Sequence, residues 1–277
     1  MNEFYLALGQ YQYLQIALAA GLLAALGCGL IGPFVVVRKM TFPAAGIAHS
    51  VLGGVGVALF YGFHPLAGAL VAAVLAAILI GWIRLHRRTS ADTFISALWV
   101  IGMAVGILFI SRLPGYQADL ISYLFGNILL VPPEELWFMA TLDAVLLLGV
   151  GLWRWRLPVE VFDGDQAGSP ELDIFGGRVK FDLLLLILIA LTVVLLIQVV
   201  GLIMVLALLT LPTAIASQYV HSLTRMMLIA TLLGMALTFL GLAMSYQPNL
   251  PPGPGIALLT GLAYVVSSLL SRHESAS

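Results

Sequence analysis

The amino-acid sequence predicts an all-α protein, a polytopic transmembrane helical bundle of eight or nine spans with one short cytoplasmic helix. Of its 277 residues, 61% are hydrophobic and only 9% are charged, and the mean hydropathy is +1.08. A soluble domain carries roughly 25% charged residues. This chain therefore cannot cover a water-facing surface, and lipid must be the solvent for most of it. Apolar runs of about 20 residues, enough to cross the hydrocarbon as a helix, recur along it.

The predicted spans follow these apolar runs in order. They are 14–37, 44–62, 65–85, 93–111, 134–153, 182–216, 226–245 and 255–271. The run 182–216 is too long for one upright helix, so it is either one tilted helix or two helices broken near Gly201. Residues 119–131 are predicted to form a partial or re-entrant helix packed against protein. We expect the whole chain, 1–277, to form a single membrane domain with a polar N-terminus (1–13) and a tail (272–277).

Charged residues near the span ends predict the orientation. Residues 1–13 contain Glu3 and no Lys or Arg, so the basic region of a cleaved signal is absent and the run after it is the first span. Basic residues mark cytoplasmic ends under the positive-inside tendency. They lie at 38–39, 84–88, 154–156, 178–180, Arg225 and Arg272. This places the N-terminus outside, and it places Arg225 and Arg272 inside only if 182–216 forms two spans.

Composition and missing motifs exclude several functions. The 12 basic and 13 acidic residues nearly cancel, which argues against a nucleic-acid partner. Cys28 is the single cysteine and is interpreted as a small packing residue. The sequence has no phosphate-binding loop, no HExxH and no nucleophile elbow. We therefore expect a non-catalytic membrane protein, with energy for any uphill transport coming from a partner subunit or from ion coupling.

The one long polar stretch is 154–182. Within it, Ser169, Pro170 and Glu171 make a good helix start, because Ser caps, Pro suits the first turn and Glu faces the positive end of the helix dipole. Leu172 follows, and Gly176–Gly177 would end this helix after about two turns. A short capped helix surrounded by charge suits docking of a soluble partner. An ordinary solvated loop is the alternative, since its sequence would be similar.

His49 and Asp143 lie well inside predicted spans, away from the span ends, where ionisable groups are functional candidates. His49 lies among small residues early in the second span, and a neutral imidazole is a common ligand for divalent metals. Asp143 could line a pathway or bond across a helix interface, and we favour the structural role because no second polar residue lies one turn away. Gln198 is interpreted in the same way. His64, His86, His221 and His273 lie in turns, loops or the tail and are expected to be solvated.

Several ordered blocks resemble the membrane permease subunit of ABC importers for zinc, manganese or iron. They are Gly32–Phe42 followed by Ala48–Ser50, then Asp119–Leu129, Val199–Gly201, Ala207–Leu209, Pro212–Ala216, Gly241–Tyr246 and Leu250–Gly255. Together they cover roughly residues 14–271.

The resemblance implies specific partners and site residues. Such permeases pair with a second permease copy, bind two cytoplasmic ATP-binding subunits, and receive metal from an extracytoplasmic metal-binding protein. It implies a multi-pass protein of the bacterial cytoplasmic membrane that binds no cofactor of its own and carries zinc or manganese, or iron, as cargo. Residues 169–177 become a coupling helix for the ATPase, with Ser169, Pro170, Glu171, Leu172 and Gly177 matching the family pattern.

One departure from the family pattern affects the metal. The position four before the family's channel histidine is usually Asp but is Ala45 here, so only His49 carries over as a pathway ligand. Two alternatives remain open. One is an ion-coupled secondary transporter that uses Asp143 as a proton or sodium relay. The other is a permease for another small cargo, such as a siderophore or cobalamin.

Overall fold

The computed structural model describes residues 2–86, 91–113, 126, 128–153, 177–248 and 250–274. Within these ranges the regular structure is entirely helical, with ten α-helices and one 3-10 turn at Ile128–Leu130. The α-helices are α1 (Asn2–Gln10), α2 (Gln12–Val37), α3 (Thr41–Phe60), α4 (Pro65–His86), α5 (Ala91–Ile110), α6 (Pro133–Trp153), α7 (Gly177–Val200), α8 (Leu202–Tyr219), α9 (Leu223–Tyr246) and α10 (Pro252–Glu274).

Seven of the described helices are long and apolar enough to cross a membrane. They are α2, α3, most of α4, α5, α8, α9 and most of α10. Six of them coincide with a predicted span to within a few residues at either end, and α8 corresponds to the second part of the predicted run 182–216. The all-helical, membrane-spanning fold class is therefore confirmed. The partial helix predicted at 119–131 falls largely outside the described residues.

The long apolar run 182–216 is two helices broken at Gly201. Helix α7 ends at Val200 and α8 begins at Leu202, and Gly201 between them has φ +80° and ψ 160°. Residues other than glycine rarely adopt this backbone conformation. Gly126, also at positive φ (+70°), packs against the break, since a Cβ there would lie 2.5 Å from the nitrogen of Gly201. The contact therefore requires glycine at both positions.

The chain divides into two compact units. The first comprises residues 1–36, 124–154 and 196–277. In it, glycines of α2 receive threonine side chains, so the helices approach closely. Gly21 contacts Thr238 of α9, Gly29 contacts Thr231, and Gly32 contacts Thr213 of α8. In a membrane, small residues of this kind let helices associate through packing rather than through the hydrophobic effect.

The first unit also contains α1, which the sequence analysis does not predict. Phe4 is fully buried with Ala7, Leu14 and Leu242. Its ring makes edge contacts with Phe239 and Tyr246, each at 5.8 Å between centroids. The N-terminal segment is therefore an amphipathic helix held by an aromatic cluster on α9.

The second unit comprises residues 37–123 and 155–195. Its helices meet glycine to glycine. A Cβ on Gly53 would lie 2.8 Å from the carbonyl oxygen of Gly102, and one on Gly56 would lie 2.6 Å from that of Gly106, so α3 and α5 are in backbone contact. Helix α4 meets α3 in the same way, through Gly68 and Gly54. The small residues around His49 therefore serve close packing.

Candidate functional site

Helix α3 places His49 inside the second unit. The chain reaches α3 through a turn in which Lys39 has a left-handed backbone, φ +53°, and Met40 is fully buried. Two turns into the helix, His49 is 9% exposed. Ser50 beside it donates a hydrogen bond to the carbonyl of Gly46 at 2.8 Å and so satisfies its hydroxyl locally. His49 is thus the polar group at this level of α3 that its own helix does not satisfy.

The indole of Trp99 on α5 covers the imidazole of His49. The two rings stack with centroids 4.0 Å apart and planes inclined by 11°. The Nε1–H of Trp99 points to the sulfur of Met103 at 3.1 Å, and Phe42 packs at 6.2 Å from the same indole. Because the backbones of α3 and α5 touch at Gly53 and Gly102, the indole has a fixed place above the imidazole.

The imidazole has unused coordinating capacity. Its Nδ1 atom is buried and has no hydrogen-bond partner among the described residues. A neutral imidazole offers one nitrogen lone pair to a divalent cation. The electron-rich face of an indole also favours positive charge nearby, so metal bound to His49 would sit in a favourable field.

No carboxylate of the described residues completes this site. Ala45, one turn before His49, is half-buried and supplies no oxygen ligand. Among the described residues, no group of three or more His, Cys, Asp or Glu side chains is placed to hold a metal ion. The arrangement suits brief contact with a passing ion rather than a tight resident site.

Asp143 lies in the first unit and is accommodated differently. It is 3% exposed on α6 and fits against Gly27 of α2, where a Cβ would lie 2.7 Å from its Oδ1 atom. Its Oδ2 atom is buried without a hydrogen-bond partner in the described part of the chain. The neighbouring thiol of Cys28 lies 3.9 Å from the carbonyl oxygen of Val205, a weak contact. A glycine groove therefore holds this carboxyl group.

The other predicted positions are only partly described. His64 and His221 are exposed. Gln198 lies within α7, but its side chain is outside the described residues, as are the side chains of His86 and His273. Ser169, Pro170, Glu171 and Leu172 also lie outside the described residues, and Gly177 is the first residue of α7.

Two features of the structure are not evident from the sequence. In the sequence, Trp99 looks like any other apolar residue of its span. The available signal was its indole N–H, which needs a hydrogen-bond partner when it lies within lipid. The ion pair between Arg38 and Asp182 joins residues that are 144 positions apart. Both residues stood in charged clusters, but nothing local in the sequence could match them to each other.

Long apolar helices packed through glycines, with buried polar side chains held between them, define a multi-pass α-helical membrane protein. The model of a protein family described as the ABC 3 transport family matches residues 10–271. The chain belongs to this family, which confirms the resemblance drawn from the sequence blocks.

Curated relatives match over nearly their full length. A membrane protein of Synechocystis sp. is 43% identical over 266 residues, covering 95% of this chain and 92% of the relative. A protein of Chlamydia trachomatis named "Probable metal transport system membrane protein" is 39% identical, covering 94% of this chain and 90% of the relative. The manganese import system permease protein ScaB of Streptococcus parasanguinis is 32% identical, covering 99% and 96%.

A solved structure shares the fold. The structure described as PsaBC from Streptococcus pneumoniae in complex with Fab aligns with a TM-score of 0.82 at 30% sequence identity. The alignment covers 96% of this chain and 94% of that one. The helical fold is thus shared with a chain of that complex along almost its whole length.

Proposed function

We propose that this chain is the permease subunit of an ATP-driven ABC importer that moves a divalent metal ion, zinc or manganese, with iron as a third candidate. The observation that carries the proposal is membership of the ABC 3 transport family over residues 10–271, with a relative named as a manganese import permease aligned along 99% of the chain. The cargo is a substrate, and no cofactor resides in the chain. The buried imidazole of His49 supplies a ligand suited to such a cargo.

The chain works as part of an assembly. It has no phosphate-binding loop of its own, so the energy comes from two cytoplasmic ATP-binding subunits. A second copy of the permease completes the pathway, and an extracytoplasmic binding protein delivers the metal. Helices α6 and α7 join the seven apolar helices as membrane crossings, for nine in all. The assembly lies in the bacterial cytoplasmic membrane and makes no contact with nucleic acid.

His49 acts as a transient ligand on the pathway. An ion must bind well enough to enter and weakly enough to leave. A single neutral imidazole without the carboxylate that Ala45 replaces meets the second requirement. The ATPase docks on the coupling helix at 169–177, through Ser169, Pro170, Glu171 and Leu172, and Gly177 opens α7 directly behind it.

Metal uptake by the assembled complex in proteoliposomes tests this function. Wild-type complex with ATP inside and the binding protein outside should accumulate manganese(II) or zinc(II). The His49→Ala variant should lose at least about tenfold in uptake, since changing even a group that supports a metal ligand commonly costs that much. His64→Ala is the matched control, because His64 is exposed in a turn. Unchanged uptake by His49→Ala would exclude His49 from the pathway.

Asp143 is buried, and its Oδ2 atom has no hydrogen-bond partner among the described residues, which favours a second candidate, an ion-coupled secondary transporter with this carboxyl as the relay. Such a carrier needs no ATPase. The purified chain alone, in vesicles with an imposed proton gradient, would then accumulate metal, and an uncoupler would abolish the uptake. Accumulation only by the ATPase-containing complex would exclude this candidate.

A further inference from the structure

The ion pair between Arg38 and Asp182 connects the turn before α3, the helix that bears His49, with the first turns of α7. Arg38 follows the last residue of α2, and its side chain is 7% exposed, whereas that of Asp182 is 37% exposed. Asp182 is the sixth residue of α7, at the end of the polar stretch 154–182. The pair therefore joins the start of α3 to the helix that follows the proposed ATPase-docking segment.

The path from Arg38 to His49 is short and firmly packed. Only Lys39 and Met40 separate Arg38 from α3, and the left-handed backbone of Lys39 turns the chain. Met40 is fully buried, and its carbonyl accepts a hydrogen bond from the nitrogen of Ala44 at 2.9 Å. His49 lies nine residues after Met40, about 13 Å along the helix. A displacement of Arg38 must therefore move the start of α3.

The path on the other side of the pair is packed as well. Leu183, next to Asp182, and Leu186 both pack against Gly81 of α4. A Cβ on Gly81 would lie 3.0 Å from the Cδ1 atom of Leu183 and 3.5 Å from that of Leu186. Helix α4 in turn touches α3 through Gly68 and Gly54. The beginning of α7 thus reaches the helix that bears His49 by two routes, a charged pair and a packed helix.

We propose that the Arg38–Asp182 ion pair transmits movement of the 154–182 segment to α3, so that both are positioning residues for metal transfer at His49. Apolar side chains at a packed interface can slide past one another, whereas a charge-assisted hydrogen bond fixes two particular atoms. Loss of the pair should therefore leave ATP hydrolysis intact and break its connection to the pathway. This inference rests on the proposed function.

The measurement is the number of manganese(II) ions imported per ATP hydrolysed by assembled, reconstituted complexes. Because both rates refer to assembled complex, a lower yield of a variant does not change their ratio. Asp182→Asn and Arg38→Gln remove the pair with little change of shape, while Arg38→Lys keeps the charge. Asp92→Asn is the matched control, because Asp92 is an exposed carboxylate in the first turn of α5 in the same unit.

We expect complexes with Asp182→Asn or Arg38→Gln to hydrolyse ATP at near the wild-type rate. The metal that they import per ATP should fall by at least about fivefold. Arg38→Lys and Asp92→Asn should keep the wild-type ratio. A wild-type ratio in Asp182→Asn overturns the proposal, as does an equal fall of hydrolysis and import, which would mean a merely structural role. If Asp182→Asn does not assemble, Arg38→Gln decides by the same readout. Failure of wild-type complex to import any metal would instead reject the proposed function.

Discussion

His49 and Asp143 are both buried polar side chains in apolar helices, and their neighbours hold them in different ways. His49 has an aromatic face above it, at 4.0 Å, and its Nδ1 atom has no hydrogen-bond partner in the described part of the chain. Asp143 fits a groove made by Gly27, with no basic side chain paired to it among the described residues. The first environment favours positive charge near the ring, while the second makes a charged carboxylate costly.

Replacing Trp99 should weaken metal transfer at His49. Stacked aromatic pairs contribute about 0.5–1.5 kcal/mol beyond their buried area. We therefore expect Trp99→Ala to lower manganese(II) uptake by roughly two- to tenfold, and Trp99→Phe to keep most of it. Trp137→Ala is the control, because Trp137 is 77% exposed on α6. Wild-type uptake by Trp99→Ala would show that the stack has no part in transfer.

Asp143→Asn separates the two candidate functions. If Asp143 only fills its groove, a neutral amide of the same shape removes the cost of a buried charge. The unfolding free energy should then stay the same or rise by up to about 2 kcal/mol, with uptake unchanged. Thermal unfolding in detergent measures stability, and metal uptake is measured both with ATP in the complex and with an imposed proton gradient in the purified chain. A loss of gradient-driven uptake with normal stability would instead favour the relay role.

At the scale of elements, the crossing of α3 and α5 depends on glycine. A Cβ on Gly102 would lie 2.7 Å from the Cα of Ser50 and 3.2 Å from the carbonyl oxygen of His49. Both of these atoms belong to the backbone and cannot move aside by a change of rotamer. The position of His49 and the spacing of the two helices are thus set together.

Gly102→Ala should therefore destabilise the protein by about 1–3 kcal/mol, although alanine favours helices by about 1 kcal/mol over glycine. Gly149→Ala on α6 has the same propensity gain, and its new Cβ would have no atom of another described element within 4 Å, so it should be neutral or stabilising. Because both variants gain the same helix propensity, the difference in their thermal stability measures what the close packing at Gly102 contributes to the free energy of unfolding. Equal stability of both variants would mean that the helices can separate at little cost.

Elements were predictable where composition changes abruptly. Apolar runs bounded by Pro65, or by Arg38 and Lys39, gave helix ends close to those observed. The break at Gly201 stayed open because glycine in an apolar run allows either a continuous or an interrupted helix. Helix α1 was missed because its composition is mixed, and the contact that holds it, Phe4 on α9, is with residues far along the chain.

The candidate site was predictable only in part. His49 stood out because an ionisable residue within a span is rare. Trp99 and the pairing of Arg38 with Asp182 did not, since each depends on contacts between helices distant in sequence. Helical periodicity places a residue within its own helix, but it does not say which neighbour that residue meets.

At the scale of the whole molecule, the proposed function requires ATP-binding partners, and we expect the chain to bind them through its polar stretch, 154–182. Deletion of 169–176, or Glu171→Lys, should abolish co-purification of the ATP-binding subunit, because the proposed docking helix would be lost or its charge reversed. Deleting only to 176 spares Gly177, which begins α7. Glu134→Lys is the control, an exposed acid in the first turn of α6. Retained co-purification after the deletion would place the ATPase contact elsewhere.

The contact between Gly126 and Gly201 constrains how sequences of this kind can diverge. Both residues have positive φ, and a side chain on Gly126 would meet the backbone at Val200 and Gly201. A side chain at either position would therefore strain the backbone. At Gly126 it would also meet space that is already occupied. We expect the two glycines to be inherited together, and a homologue lacking one to have rebuilt the junction between α7 and α8. The pair can therefore mark, in sequence alone, which homologues keep the interrupted helix.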